Sequence, residues 1–315
     1  MLELFKKSEP LSKHTNFRIG GPAKYFFEAK TSEDIIKAVV WSLQNKVEFF
    51  VLGGGSNILV SDAGFNGLVI KAANRNFKID RENYIVTAEA GLPSAMLARK
   101  SAEAGLADFE WAISLPGTIG GAVRGNAGCF GGEIKDFLSS ARVLKINEDG
   151  CETAELNNKD CKFAYRDSIF KHESLVILDA EFCLRKSEAS VCLGLLDKHL
   201  SLRKEKQPLE SGSAGCVFKN FQFSSVSPMA NFQIPNVPEE FLKNKKIPAG
   251  WLIERTGLKG LKIGGAEISS KHGNFLLNKD HAKAEDVINL VRVIKEKVKS
   301  RLGVDLHEEI QCVGF

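Results

Sequence analysis

The sequence predicts a mixed chain, α+β or α/β, of two or three domains. Three observations carry that reading. At 315 residues the chain is too long for one ordinary small domain. Its first half alternates short apolar runs of strand length with stretches of helical apolar spacing. Its middle turns mostly β, and a long helical pattern follows near the C-terminal end.

Residues 25–29 read as a strand. Ser32 then caps a helix whose apolar positions are Ile35, Ile36, Val39, Val40 and Leu43. A short apolar strand over 49–52 runs directly into Gly53-Gly-Gly-Ser-Asn57. Strands are expected at 67–71 and 84–89, and a helix over 93–104 that opens on a proline. A second glycine-rich stretch, Leu115-Pro-Gly-Thr-Ile-Gly-Gly-Ala-Val-Arg-Gly-Asn-Ala-Gly128, precedes strands at 141–146 and 175–184, with a turn at 147–150. A helix from about residue 191 leads through Arg203 to a segment around Cys216. Beyond it come a helix over 249–256 with Trp251, Leu252 and Ile253 on its apolar side, a glycine turn around Gly264, a helix over 284–301 and a strand over 306–313. The proline-bearing stretch 228–238 reads as an irregular loop, because proline removes ladder donors.

Composition narrows the function. With 43% hydrophobic and 26% charged residues the chain has the make-up of a soluble globular protein. No apolar run approaches the ~20 residues of a membrane span, and residues 1–10 lack the pattern of a signal peptide, so no membrane insertion and a cytoplasmic location are expected. Seven cysteines, an odd number without a Cys-x-x-Cys pair, argue for buried thiols rather than a disulfide framework or a zinc site, and no metal is expected. The net charge of +4 is small for the length and not gathered in one tract, which speaks against nucleic acid as a partner. The basic clusters 203–206 and 243–246 suit either a solvated face or a phosphate-bearing small ligand.

Five segments carry chemistry. Two glycine-rich loops after apolar segments suit backbone amides gathered around a diphosphate, since glycine permits close approach. Neither has the G-x-G-x-x-G or G-K-[ST] pattern, so a standard dinucleotide fingerprint or P-loop is not indicated. Ser211-Gly-Ser-Ala-Gly-Cys216-Val-Phe-Lys-Asn220 sets a thiol among small residues ahead of a strand-like run; it is either a presented functional group or one more small buried hydrophobe. Tyr165-Arg-Asp-Ser-Ile-Phe-Lys171 places Arg166 beside aromatic residues that cover it partly, where a guanidinium fork holds a carboxylate firmly. Leu306-His-Glu-Glu-Ile310 ends the chain's last apolar segment with two carboxylates that point to opposite faces of a strand.

In register with one another, several motifs carry a resemblance. They are Thr15-Asn-Phe-Arg-Ile-Gly-Gly-Pro-Ala23, Leu52-Gly-Gly-Gly-Ser-Asn-Ile-Leu-Val60, Leu115-Pro-Gly-Thr-Ile-Gly-Gly-Ala122 with Asn126-Ala-Gly128, Tyr165-Arg-Asp-Ser168 and Ala214-Gly-Cys-Val-Phe-Lys-Asn220. Ala249-Gly-Trp-Leu-Ile253, Gly257-Leu-Lys-Gly260 and Lys262-Ile-Gly-Gly-Ala266 follow in order. From about His14 to Gly314 the chain resembles the UDP-N-acetylenolpyruvoylglucosamine reductase (MurB) family, in its shorter class without an extra tyrosine-bearing loop.

The resemblance implies an α+β fold: a vanillyl-alcohol-oxidase/PCMH-type FAD-binding domain of two α+β subdomains, 1–72 and 73–205, plus a C-terminal α+β substrate-binding domain, 206–302. The strand within 303–315 would return to the 73–205 subdomain. It also implies an FAD-containing, NADPH-dependent oxidoreductase, a UDP-N-acetylmuramate dehydrogenase that reduces UDP-N-acetylglucosamine enolpyruvate in peptidoglycan precursor synthesis, expected as a monomer. Cys216 falls on the family's proton donor, a serine in many members, Arg166 on the arginine that stabilises the enolic intermediate, and Glu309 on its essential glutamate. FAD would be held by Gly53, Gly54, Gly55, Ser56, Asn57, Pro116, Gly117, Thr118, Ile119, Gly120, Gly121, Asn126 and Gly128. Substrate contacts fall on Arg203, Lys206, Asn220, Lys259 and His272. The chain departs from the pattern at Phe221, where the family usually has proline, and at Gln311, where many members place an arginine that helps bind the substrate phosphate. Two rivals remain: an FAD oxidase that uses oxygen, and a flavin-binding protein that has lost catalysis.

Overall fold

The computed structural model describes residues 1–148, 150–223 and 234–315, so Asp149, in the expected turn, and residues 228–233 of the expected irregular loop lie outside the described residues. The chain divides into two compact units. Met1–Glu9, Ala23–Gly54 and Asn66–Glu205 form the first; Pro10–Pro22, Gly55–Phe65 and Lys206–Phe315 form the second.

The first unit is organised by two sheets. One has the order Lys6–Pro10, Pro22–Ala29, Phe65–Ala72, Phe49–Leu52, its last two strands parallel with Leu52 opposite Lys71. The other has the order Gly150–Asn157, Leu138–Asn147, Leu175–Cys183, Ile85–Glu89, Phe77–Asp80 and is antiparallel throughout. The central strands Leu138–Asn147 and Leu175–Cys183 of this second sheet bury side chains on both faces. Val176, Leu178 and Leu144 pack with Ile35, Ala38 and Val39 of the helix Ser32–Gln44. Ala141, Val143, Ile177, Ala180 and Phe182 pack instead with Leu97, Ala98, Ile119 and Val123 of the helices Ser94–Glu103 and Ile119–Gly125. The helix Ser32–Gln44 starts on a reciprocal capping box between Thr31 and Asp34, which satisfies two otherwise orphaned amides. Its cap is thus Thr31, one residue before the expected Ser32.

The core of the second unit forms around the helix Ala284–Leu302. Val287, Leu290, Val291, Ile294, Val298 and Leu302 make its buried stripe at three- and four-residue spacing, and Gly303 closes it in the left-handed conformation. The Asp62 carboxylate accepts from Ala284 N and Glu285 N at its start. The stripe packs with the antiparallel sheet Lys262–Ile263, Ala266–Ile268, Leu276–Asn278 and the helix Ala249–Arg255. One expectation is corrected. The strand within 303–315 does not pair with 73–205; Gln311–Val313 runs parallel to Ile58–Val60, Gln311 opposite Ile58 and Val313 opposite Val60. Ile58, Leu59 and Val60 are all buried, so that short strand offers the apolar partner the last strand needs.

Candidate active site

In the first unit the two glycine loops meet with no room for side chains. A Cβ on Gly54 would lie 2.4 Å from Gly117 Cα, and one on Gly53 would lie 2.6 Å from Thr118 Oγ1. At Gly54 glycine is required by steric contact between two backbones, and at Gly53 the neighbour is the Thr118 hydroxyl. Thr118 is buried, yet its hydroxyl has no hydrogen-bond partner among the described residues. A buried hydroxyl awaiting a partner, beside two backbones held in contact by glycines, fits a diphosphate ligand such as FAD carries. Gly117, at φ +112, supplies a conformation closed to most side chains, while Pro116 and Gly121 are exposed on the same loop.

Three residues expected to hold FAD spend polar groups within the protein. Ile119 and Gly120 donate their amides to Leu92 O (2.9 Å) and Ala90 O (2.8 Å), so these N–H groups fix the loop. Asn126 ends the helix Ile119–Gly125 in the left-handed conformation and is fully buried. Its side chain donates to Ala164 O (2.8 Å) and Glu133 Oε2 (3.2 Å) and accepts from Lys135 N (3.0 Å). Gly128 starts a hairpin that a Cβ would break, 2.6 Å from Gly132 O.

Arg166 is anchored to this same loop. Its guanidinium donates to Gly128 O (2.6 Å) and Asn126 O (3.5 Å) and lies 5.3 Å from the Tyr165 ring centroid. Of the aromatic cover read from the sequence, the Tyr165 ring is in place. Arg166 also has a φ of +54, a conformation uncommon for a residue with a side chain and frequent at functional sites. Lys171 Nζ donates to its carbonyl (2.6 Å) and the Ala164–Asp167 bridge closes the turn that holds it. Next to Gly128, burial pushes the Cys129 thiol up, against the opposing pull of Arg203 and Arg166. Arg203, expected on the substrate and carried by the helix Ala189–Lys206, thus lies in the same electrostatic neighbourhood as Arg166. Four residues earlier, His199 stacks on Phe130 with ring centroids 4.7 Å apart.

The second unit brings Cys216 and Glu309 onto adjoining segments. Glu309 N donates to Val217 O (2.7 Å), Lys219 N donates to His307 O (2.9 Å), and Phe218 bridges Glu308. The two C-terminal carboxylates separate as alternation requires: Glu308 is exposed and paired with Lys295 at 2.8 Å, whereas Glu309 is half-buried. Gly55, Ser56 and Asn57 of the first glycine loop also belong to this unit. A Cβ on Gly55 would lie 2.1 Å from His14 O, and Ser56 is half-buried. Asn57, expected on FAD, donates its side-chain amide to Glu309 O (3.1 Å), and its own carbonyl accepts from Gln311 N (3.0 Å).

Cys216 opens into a pocket of about 240 Å³ that Asn220, Trp251, Glu254, His272 and Asn274 also line. Asn220 Oδ1 accepts from Ala249 N (3.1 Å), filling one orphaned donor at the start of the helix Ala249–Arg255. Asn274 is buried and turns both ends of its amide to Phe218, accepting from Phe218 N (2.9 Å) and donating to Phe218 O (2.8 Å). Its backbone N donates to His272 Nδ1 (3.2 Å), which leaves the proton of a neutral imidazole on Nε2. Burial holds the His272 pKa below its ordinary value, with Glu254 pulling the other way. Lys259 pairs with Glu254 at 2.9 Å, so the expected substrate lysine reaches the pocket through a carboxylate. Lys206 is exposed at the end of its helix. Pro248, Glu254 and Asn274 are pocket residues that sequence reasoning passed over. Glu254 follows directly on the Ala249–Ile253 motif, and that position was the available signal.

A family model for the UDP-N-acetylenolpyruvoylglucosamine reductase C-terminal domain matches residues 207–313, and one for an FAD binding domain matches 23–151. A UDP-N-acetylenolpyruvoylglucosamine reductase from Caldicellulosiruptor bescii is 39% identical over 313 residues, covering 98% of this chain and 91% of its own. The chain belongs to the UDP-N-acetylenolpyruvoylglucosamine reductase family. A reductase of the same name from Carboxydothermus hydrogenoformans is 39% identical over 308 residues, covering 98% of this chain and 93% of that one. The crystal structure of the family's enzyme from Thermus caldophilus aligns with a TM-score of 0.75 at 29% identity, covering 98% of this chain and 99% of that one. The fold class of the reductase family, an FAD-binding α+β domain of the vanillyl-alcohol-oxidase type followed by a C-terminal α+β domain, is the one expected from the sequence.

Proposed function

We propose that this chain reduces UDP-N-acetylglucosamine enolpyruvate to UDP-N-acetylmuramate with NADPH, through FAD, in peptidoglycan precursor synthesis, and that Cys216 delivers the proton. The observation that carries the assignment is the seating of Cys216: a half-buried thiol that lines a pocket with Asn220, Glu254 and His272, its segment hydrogen-bonded to the one that bears Glu309. Bound FAD supplies the hydride relay between NADPH and the enolpyruvyl methylene carbon. Hydride addition there leaves an electron pair and negative charge on the neighbouring carbon and its carboxylate. Arg166, fixed by two carbonyls and an aromatic face, stabilises that charge, an effect of ~3 kcal/mol for a pre-placed donor. The S–H of Cys216 breaks as the new C–H bond forms, giving the lactyl ether and a thiolate that takes its proton back from solvent. A thiol with a reference pKa of ~8.5 is mostly protonated near neutrality and suits this role. Glu309 acts beside Cys216 as the orienting carboxylate.

Asn220, Lys259 and His272 bind the substrate from the pocket side, His272 as a neutral Nε2–H donor, while Arg203 and Lys206 serve its phosphates. Gln311 does not supply the phosphate contact of an arginine. The chain acts as a monomer in the cytoplasm. Among the described residues no helix is long and apolar enough to cross a membrane, and the seven cysteines form no disulfide, which suits a reducing compartment. The direct test is the visible flavin spectrum of the purified protein. NADPH is expected to bleach it anaerobically, and the enolpyruvyl substrate to restore it. Recovery with oxygen alone and none with substrate would favour an oxidase.

A further inference from the structure

The strand Phe65–Ala72 carries a lysine where its neighbours are apolar. Leu68, Val69 and Ile70 are fully buried, Ala72 nearly so, and Lys71 stands between them. A cation in such a run is costly unless its ammonium reaches an acceptor. Lys71 Nζ finds one in Gly53 O, at 2.5 Å, the first carbonyl of the glycine loop. The parallel register makes this reach possible, since Lys71 stands opposite Leu52, the residue before Gly53. Burial lowers the Lys71 pKa, Arg75 pushes it the same way, and Glu28 opposes them.

A planar trans peptide points its C=O and the following N–H in opposite directions. With Gly53 O turned toward Lys71, Gly54 N–H is aimed away from it. We propose that Lys71 is a positioning residue for the FAD diphosphate: it locks the Gly53–Gly54 peptide so that the loop presents its amides, and it sets a positive charge behind that loop. Arg75 close by adds to the same positive potential, which an anionic ligand relieves. The unpartnered Thr118 hydroxyl, beside the Cβ position of Gly53, marks the ligand side of the same loop. This inference rests on FAD as cofactor and not on the role of Cys216.

The test is titration of the deflavinated full-length protein with FAD and with riboflavin, which lacks the diphosphate, for wild type, Lys71→Met and Lys71→Arg. Lys71→Met is expected to weaken FAD by about tenfold or more, the scale of one charge-assisted hydrogen bond, while riboflavin affinity stays within about twofold. Lys71→Arg, which keeps charge and donor, is expected to recover most of the loss. Unchanged FAD affinity in Lys71→Met would overturn the proposal, and so would equal weakening of both flavins, which signals general damage. Should Lys71→Met fail to fold, Lys71→Gln keeps a donor without the charge. A selective loss for FAD over riboflavin then supports the proposal, and wild-type affinity contradicts it.

Discussion

In the first unit Gly54 and Gly117 bring two loops into contact through backbone atoms, whereas in the second unit Cys216, Asn220, His272 and Asn274 face one pocket through side chains. The two constructions fail in different ways. Backbones in contact leave no room to relax, so adding an atom displaces a whole loop. A pocket lined by side chains degrades contact by contact, because each side chain has its own partners. Substitutions in the glycine loops are therefore expected to act on cofactor binding, and those in the pocket on the substrate half of the reaction.

Gly54→Val is expected to have the largest effect. Its Cβ would fall 2.4 Å from Gly117 Cα, and overpacking of that kind costs about 3 kcal/mol or more. Flavin absorbance per protein is expected to drop severely after dialysis; normal flavin content would show that the loops part freely. Asn274→Ala comes next. It leaves Phe218 N and O buried without their partner, at about 2–4 kcal/mol for the pair, measured by denaturant unfolding. Retained FAD with slowed flavin reoxidation by substrate would keep the two regions distinct, whereas early FAD loss would merge them.

Asn57→Ala separates the regions at the point where the first glycine loop passes from one unit to the other. Its amide holds Glu309 O, so the expected outcome is unchanged FAD content and substrate-driven reoxidation slower by about fivefold, the scale of one hydrogen bond. Loss of flavin would restore the cofactor role read from the sequence. The smallest effect concerns His272. Because burial lowers its folded-state pKa, the folded protein binds its proton less readily than the unfolded chain. That contribution to stability is present above about pH 6.5 and is lost as pH falls through the lower folded value. Thermal melts of His272→Gln and wild type are expected to differ more in their pH dependence below pH ~6 than above pH ~7. Parallel curves would contradict this.

Much of this arrangement was legible in the sequence, for reasons tied to particular residues. The strand Phe49–Leu52 and the helix Ala284–Leu302 show their apolar periodicity directly. The glycine loops were legible as amides gathered for a diphosphate, though not as two backbones in contact, and the Cys216 segment left a presented and a buried thiol open. The strands Lys6–Pro10 and Gly150–Asn157 were not found; both lie at sheet edges and are largely exposed, so no apolar alternation marks them. The last strand was drawn too long, since only Gln311–Val313 pairs as a strand and Glu308 and Glu309 join the Cys216 segment by a bridge and single bonds. Motif membership also hides how a polar group is used. Asn57 and Asn126 sit in the expected loops, but their amides bind the protein's own backbone, a choice set by partners distant in sequence. Asn274 was missed for the same reason, because its partner Phe218 lies 56 residues away.

The central claim, that Cys216 supplies the proton, is tested most directly by anaerobic stopped-flow on Cys216→Ala with the two half-reactions observed separately. NADPH is expected to reduce the bound flavin at nearly the wild-type rate, while reoxidation by the enolpyruvyl substrate slows by more than ~100-fold. Equal slowing of both halves, or wild-type reoxidation, would contradict the claim.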